Sequence, residues 1–175
     1  MNIVTMMREA YDDYQSSTRE KNDEIFKNLI SHGYVKIKKL YQKVDKDYGD
    51  TFFNVTQDLV IWLMFADGQY SQMEYDAYYQ FCEYAGFKPL SVTECSKRKK
   101  ELGIDYIMSL VQHIVMTRHR IPDDDYESYV KSLCFLAVLG YKDLVKDEYT
   151  LISYFFNEET DYCPSWEQFN QEFKN

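Results

Sequence analysis

The longest unbroken apolar stretch of the chain runs from Leu59 to Ala66, eight residues, and Asp67-Gly68 ends it at once. Apolar residues resume at helical spacing after Ser71, through Met73, Ala77, Tyr78, Phe81 and Cys82, and Gly86 follows as a C-terminal stop. Ser71 with Glu74 three places on has the form of a capping box, in which the hydroxyl and the carboxylate each close one open end of the backbone. The pattern predicts a buried helix, a tight acidic turn and a second helix that carries its own cap.

The rest of the chain repeats the helical period. Ile3, Val4, Met7, Ala10, Tyr11 and Tyr14 predict a first short helix, and Thr18 is placed to cap the next. From Arg19 to Asp47 one long apolar stripe passes through Ile25, Phe26, Leu29, Ile30, Tyr34, Ile37, Leu40, Tyr41 and Val44. His32-Gly33 stands in its middle, where the helix either continues or divides. Tyr48-Gly49-Asp50-Thr51 predicts the break before Phe52, Phe53 and Val55 lead into the apolar run. Ser91 with Glu94 forms a second capping box. Its helix ends in Lys97, Arg98, Lys99 and Lys100, cations that offset the helix dipole. Ile104–His119 is helical, and Pro122 with Asp123, Asp124 and Asp125 reads as the start of a helix reaching Gly140. Helices over Asp147–Asn157 and Ser165–Phe173 complete the chain. The predicted class is all-α, a compact bundle of about eight or nine helices. Its expected division is an N-terminal helical arm over 1–50 packing on a core over 51–158, with a short C-terminal helix over 159–175, all in one globular unit.

A shift of 74 residues lays the opening stretch on a second one. Leu59–Ala66 falls on Leu133–Gly140, Glu74-Tyr75 on Glu148-Tyr149 and Phe81 on Phe155. Two such helical hairpins facing each other bury both apolar runs in one core. The second copy lacks the acidic turn, since Tyr141-Lys142 stands at Asp67-Gly68, and Val145 replaces the Ser71 cap.

Composition narrows the function. With 45% hydrophobic residues the chain buries a real core, and 6 Gly and 3 Pro are too few for the turns of a barrel or sandwich. The formal net charge of −9 repels phosphate backbones, so no nucleic acid is expected as partner, and a basic partner or a cation suits the field. The lysines of 36–46 read as a solvated helix face. Cys82, Cys95, Cys134 and Cys163 lie far apart with no CxxC pair, which predicts reduced thiols and a cytoplasmic location. Met1–Tyr14 lacks the basic start and apolar run of a signal peptide, and an apolar run of eight is far short of a membrane span.

The acidic turn is the one candidate for ligand chemistry. Asp-Gly with Glu six places beyond the Gly matches the back half of an EF-hand loop. With Gly68 in the glycine position, however, the first and third ligand positions fall on Leu63 and Phe65, which offer no side-chain oxygen. A structural account covers the same residues: Gly68 supplies the turn, Ser71 and Glu74 the cap, and Asp67 bonds turn amides.

These residues resemble the tellurite-resistance TerB-like family, whose hallmark is an apolar helix running into Ala-Asp-Gly, then a hydrophobic residue, a small hydroxyl or acid, and Glu three places later. Here that is Ala66, Asp67, Gly68, Tyr70, Ser71 and Glu74. The resemblance spans about Phe52–Asn157 and implies an all-helical bundle of two related halves. It also implies an acidic module proposed to bind divalent cations in stress-linked, membrane-associated complexes. Asp67 and Glu74 carry over as candidate metal ligands, with Glu148 as the matching Glu of the second half. The second half lacks the matching Asp-Gly, with Tyr141-Lys142 in its place.

The expectation is a non-enzymatic module that binds another protein, with a weak divalent-cation site. An alternative is a metal-dependent enzyme using the acidic site, and a purely structural role is another. No HExxH, phosphate loop or GxSxG elbow is present to support catalysis. His113 reads as a core histidine, and His32 and His119 lie near basic residues. Oligomeric state is left open.

Overall fold

Caps and close helix contacts decide where each element of this chain begins and ends. The computed structural model describes residues 1–16, 18–65, 71–138 and 146–175. Among these residues the chain forms α1 (Ile3–Ser16), α2 (Arg19–His32), α3 (Tyr34–Val44), α4 (Lys46–Met64), α5 (Gln72–Ala85) and α6 (Val92–Glu101). There follow α7 (Ile104–Met116), a 3-10 turn at Arg118–Arg120, α8 (Asp123–Val138), α9 (Lys146–Ser153) and α10 (Trp166–Lys174). The only extended pairing among the described residues is one parallel bridge between Asn2 and Tyr162. The all-α bundle predicted from the pattern is what the structure shows.

Three of the predicted caps form. Thr18 accepts the Lys21 amide at the start of α2. Ser71 and Ser91 each close a capping box with Glu74 and Glu94. Gly86 ends α5 in the left-handed region at φ 81°, which costs a residue without Cβ nothing.

Two glycines act through contact instead. Gly33 divides the long stripe into α2 and α3, and it has negative φ. A Cβ there would stand 2.4 Å from the Tyr129 backbone nitrogen, so α8 crosses at the one position without a side chain. Gly49 lies inside α4, and a Cβ on it would meet the Gln42 side chain at 2.4 Å. The break expected at Tyr48–Thr51 therefore lies at Asp45, which ends α3 through its amide to Tyr41 and caps α4 by accepting the Asp47 amide. Close packing of α3 on α4 uses the glycine that the sequence pattern assigns to a turn. The expected division at residue 50 falls within α4, so arm and core share a helix.

α4 and α8 form the centre. Leu59–Met64 and Leu133–Val138 are each exposed by 7% or less, as befits helices apolar on every side. α1 and α2 pack on α8, α3 on α4 and α8, α6 and α7 on α4, and α10 on α1 and α9. A shift of 74 residues carries the end of α4 and the start of α5 onto the end of α8 and the start of α9. Leu59 and Leu133 are fully buried, as are Phe81 and Phe155. The inner helices are joined by a buried hydrogen bond of 2.9 Å between Thr56 Oγ1 and Tyr129 Oη. Aromatic rings fill the space around that bond: Phe52 lies 5.3 Å from both Tyr34 and Tyr129, ring centre to ring centre.

Candidate functional site

Asp67 and Gly68 lie outside the described residues. Ser71 and Glu74 border the turn on its far side. Ser71 Oγ accepts the Glu74 amide at 3.2 Å, and Glu74 Oε2 accepts the Ser71 amide at 2.6 Å. One oxygen of Glu74 is thus engaged in the cap. Glu148 occupies the same third helical position of α9 as Glu74 does of α5, but it is buried where Glu74 is half-buried. The two carboxylates serve different neighbourhoods: α5 packs on α2, α4 and α8, and α9 packs on α7, α8 and α10. Among the described residues no group of three or more His, Cys, Asp or Glu is arranged to hold a metal ion.

Beside the start of α5 the structure opens a groove of about 450 Å³ between α1, α2 and α5. Phe135 of α8 and Ala77 of α5, both buried, contribute apolar lining. Tyr14 meets Phe135 edge to face at 6.1 Å, and its hydroxyl donates to the Met73 thioether across the groove. Burial raises the Tyr14 phenol above its ordinary range. Asp23 on α2 and Asp76 on α5 line the same groove. Each carboxylate accepts one neutral amide: Gln80 Nε2 donates to Asp23 at 2.6 Å and Gln72 Nε2 to Asp76 at 2.9 Å. Among the described residues neither is ion-paired. Asn22 Nδ2 donates to the Tyr14 carbonyl at 3.1 Å, while its Oδ1 is buried with no hydrogen-bond partner among the described residues. Sequence reasoning missed this groove. Its residues come from four separate helices, so no local pattern in the sequence brings them together.

Several of the cations have specific partners, and Lys36 keeps its exposed place on α3. Arg98 is bidentate to Asp58, at 3.0 Å from Nε and 2.8 Å from Nη2, and ties α6 to α4. Lys99 lies over the Trp62 ring at 4.9 Å, and burial lowers its ammonium pKa while Asp147 opposes that shift. Lys38 lies over Phe53, and Lys36 pairs with Asp125 at 3.6 Å. The acidic triplet starts α8 as expected. Asp58 could have been suspected from sequence, as a carboxylate directly before the apolar run.

The histidines gather no constellation. His113, read as a core residue, is exposed, because Ile107, Val111 and Ile114 turn the other face of α7 inward. His32 Nδ1 lies 2.8 Å from the Asn28 carbonyl near the end of α2, and His119 is exposed. All four cysteines are free thiols; burial pushes Cys82 up to about 12, far from the reactive range.

Asp161 was not foreseen either. Arg118 Nη1 lies 2.7 Å from its Oδ2, the Met1 ammonium 2.6 Å from its Oδ1, and the Asn157 amide donates at 2.8 Å. Burial alone would raise this carboxyl, but these partners prevail and hold it at about 2. The clamp fastens Met1 and the segment after α9 to the turn after α7. No family model, no curated protein and no solved structure matches the chain.

Proposed function

We propose that this chain is a non-enzymatic, acidic helical module of the TerB-like kind, working in the cytoplasm by binding another protein, with a weak divalent-cation site at Asp67 and Glu74. The observation that carries the reading is the groove along α2 and α5, lined by Asp23 and Asp76 together with Arg19, where among the described residues neither carboxylate is ion-paired. In a chain of net charge −9 such a surface favours basic partners and steers their approach. The two-hairpin architecture is in keeping with the family resemblance, and the Ser71–Glu74 cap starts α5.

A photoreactive residue at Gln80 tests the binding function in cells. It is expected to crosslink a discrete protein that a probe at Lys43 does not, and the Asp23→Asn/Asp76→Asn double variant is expected to lose it. Equal capture from both positions would remove the binding assignment. Thermal unfolding with millimolar calcium, magnesium, manganese or zinc tests the cation site. The expected result is a rise in Tm that Asp67→Asn abolishes, and no rise with any of the four would remove that part.

A further inference from the structure

We infer that the corner where α3 ends, α4 begins and α7 ends is a contact surface for a second copy of this chain. Met116 is 73% exposed, Val44 63% and Tyr48 59%, the highest values for any large apolar side chain among the described residues. They stand together. The Tyr41 hydroxyl bonds to Thr117 Oγ1, and the Tyr41 ring lies 5.2 Å from that of Phe52. Val44 follows Tyr41 by three places on α3, Tyr48 precedes Phe52 by four on α4, and Met116 directly precedes Thr117. Each apolar side chain thus lies within about one helical turn of Tyr41 or of a residue touching it. Tyrosine and methionine are also among the residue types enriched in protein interfaces.

Charge identifies the occupant. Lys39, Lys43 and Lys46 are exposed, as are Asp45, Asp47 and Asp50, and among the described residues none of them is in an ion pair. Over 39–50 the corner is therefore balanced, with three charges of each sign, in a chain of net charge −9. The 3-10 turn after Met116 adds an exposed Arg120 and no acid. Two copies of an acidic chain repel over most of their surface, and they meet at least cost where net negative charge is absent. A twofold contact sets a patch against itself, so it needs both signs around an apolar centre, which this corner has. A strongly acidic or strongly basic partner would gain from half of these charges and lose from the other half. The patch is small, so the dimer is weak, with a dissociation constant on the order of 100 µM. The groove along α2 and α5 shares no residue with this corner, so the two readings stand or fall separately.

The experiment is sedimentation velocity of the full chain from about 10 µM to about 1 mM, a range that spans the expected constant. A monomer–dimer equilibrium is expected. Lys39→Glu/Lys43→Glu and Asp47→Lys/Asp50→Lys, all at exposed positions and checked by Tm, are each expected to weaken self-association at least about tenfold. An equimolar mixture of the two variants is expected to recover it, because each then meets charges of the opposite sign. Tyr48→Ser/Met116→Ser leaves every charge in place and is expected to weaken the dimer by about tenfold as well. A photoreactive residue at Met116 is expected to capture a second copy of the chain, and so is the probe at Lys43. A chain that stays monomeric up to about 1 mM overturns the inference. So do charge-reversed variants that dimerise as well as the unaltered chain, a mixture that fails to recover, or capture at Met116 of a different protein in place of a second copy.

Discussion

The hairpin α4–α5 and the hairpin α8–α9 share their helix ends and their apolar positions, yet they satisfy their polar groups in different ways. The clearest case is one equivalent site. Asp58 of α4 is buried and receives a bidentate Arg98 from α6. At the matching position of α8, Ser132 is buried and donates to the Tyr129 carbonyl of its own helix at 2.6 Å. The third helical residues differ too, Glu74 half-buried in a capping box and Glu148 buried. A duplicated apolar pattern is enough to pair two helices, because burial is non-directional. A polar group needs a particular donor or acceptor, and each hairpin finds it in its own surroundings.

Core truncation is the strongest way to break the comparison. Leu59→Ala and Leu133→Ala, at equivalent and fully buried positions, are each expected to lose about 2–5 kcal/mol in denaturant unfolding. If Leu133→Ala lost under about 1 kcal/mol, the core role of the second hairpin would not be equivalent. Acidification comes next and singles out the clamp that follows α9. The Asp161 carboxyl is held below its ordinary range, at about 2. Its stabilising effect is therefore complete above the ordinary aspartate value and is lost as pH falls from about 4 through about 2. The slope of Tm against pH over that interval is expected to flatten in Asp161→Asn.

The Asp58 and Ser132 sites separate the hairpins at smaller scale. Asp58→Ala leaves a partly exposed Arg98 with only its exposed pair to Glu101 and is expected to cost about 1–2 kcal/mol, between the surface and buried cases. Arg98→Met is expected to recover part of that loss. Ser132→Ala removes only a bond within its own helix, and a cost of about 1 kcal/mol or less is expected. Ser71→Ala tests the cap present in one hairpin alone, with an expected loss near 1 kcal/mol by thermal unfolding. The smallest effect concerns tyrosines. Tyr34 is fully buried with no partner for its hydroxyl among the described residues, so Tyr34→Phe is expected to change stability by no more than about 0.5 kcal/mol, or to raise it. Tyr129→Phe cuts the Thr56 bond between the hairpins and is expected to cost about 1 kcal/mol. Equal results for the two would remove any energetic role for that bond.

Local patterns in the amino-acid sequence determined the helical class, the start of α5 and of α6, the stop at Gly86 and the duplicated hairpin. Each rests on residues within a few positions of one another: a hydroxyl with a Glu three places on, a Gly after a stripe, an apolar run with a fixed period. Tertiary structure alone decided the rest. Gly49 belongs to a helix because Gln42 of α3 occupies the space where a side chain would stand. Gly33 marks the crossing of α8, and Arg98 serves Asp58 rather than solvent. The groove of Asp23, Asn22 and Asp76 exists only once four helices meet. Periodicity states which face of a helix is apolar. It does not state which helix lies against that face, and the pairing of charges and the shape of a binding surface depend on that choice.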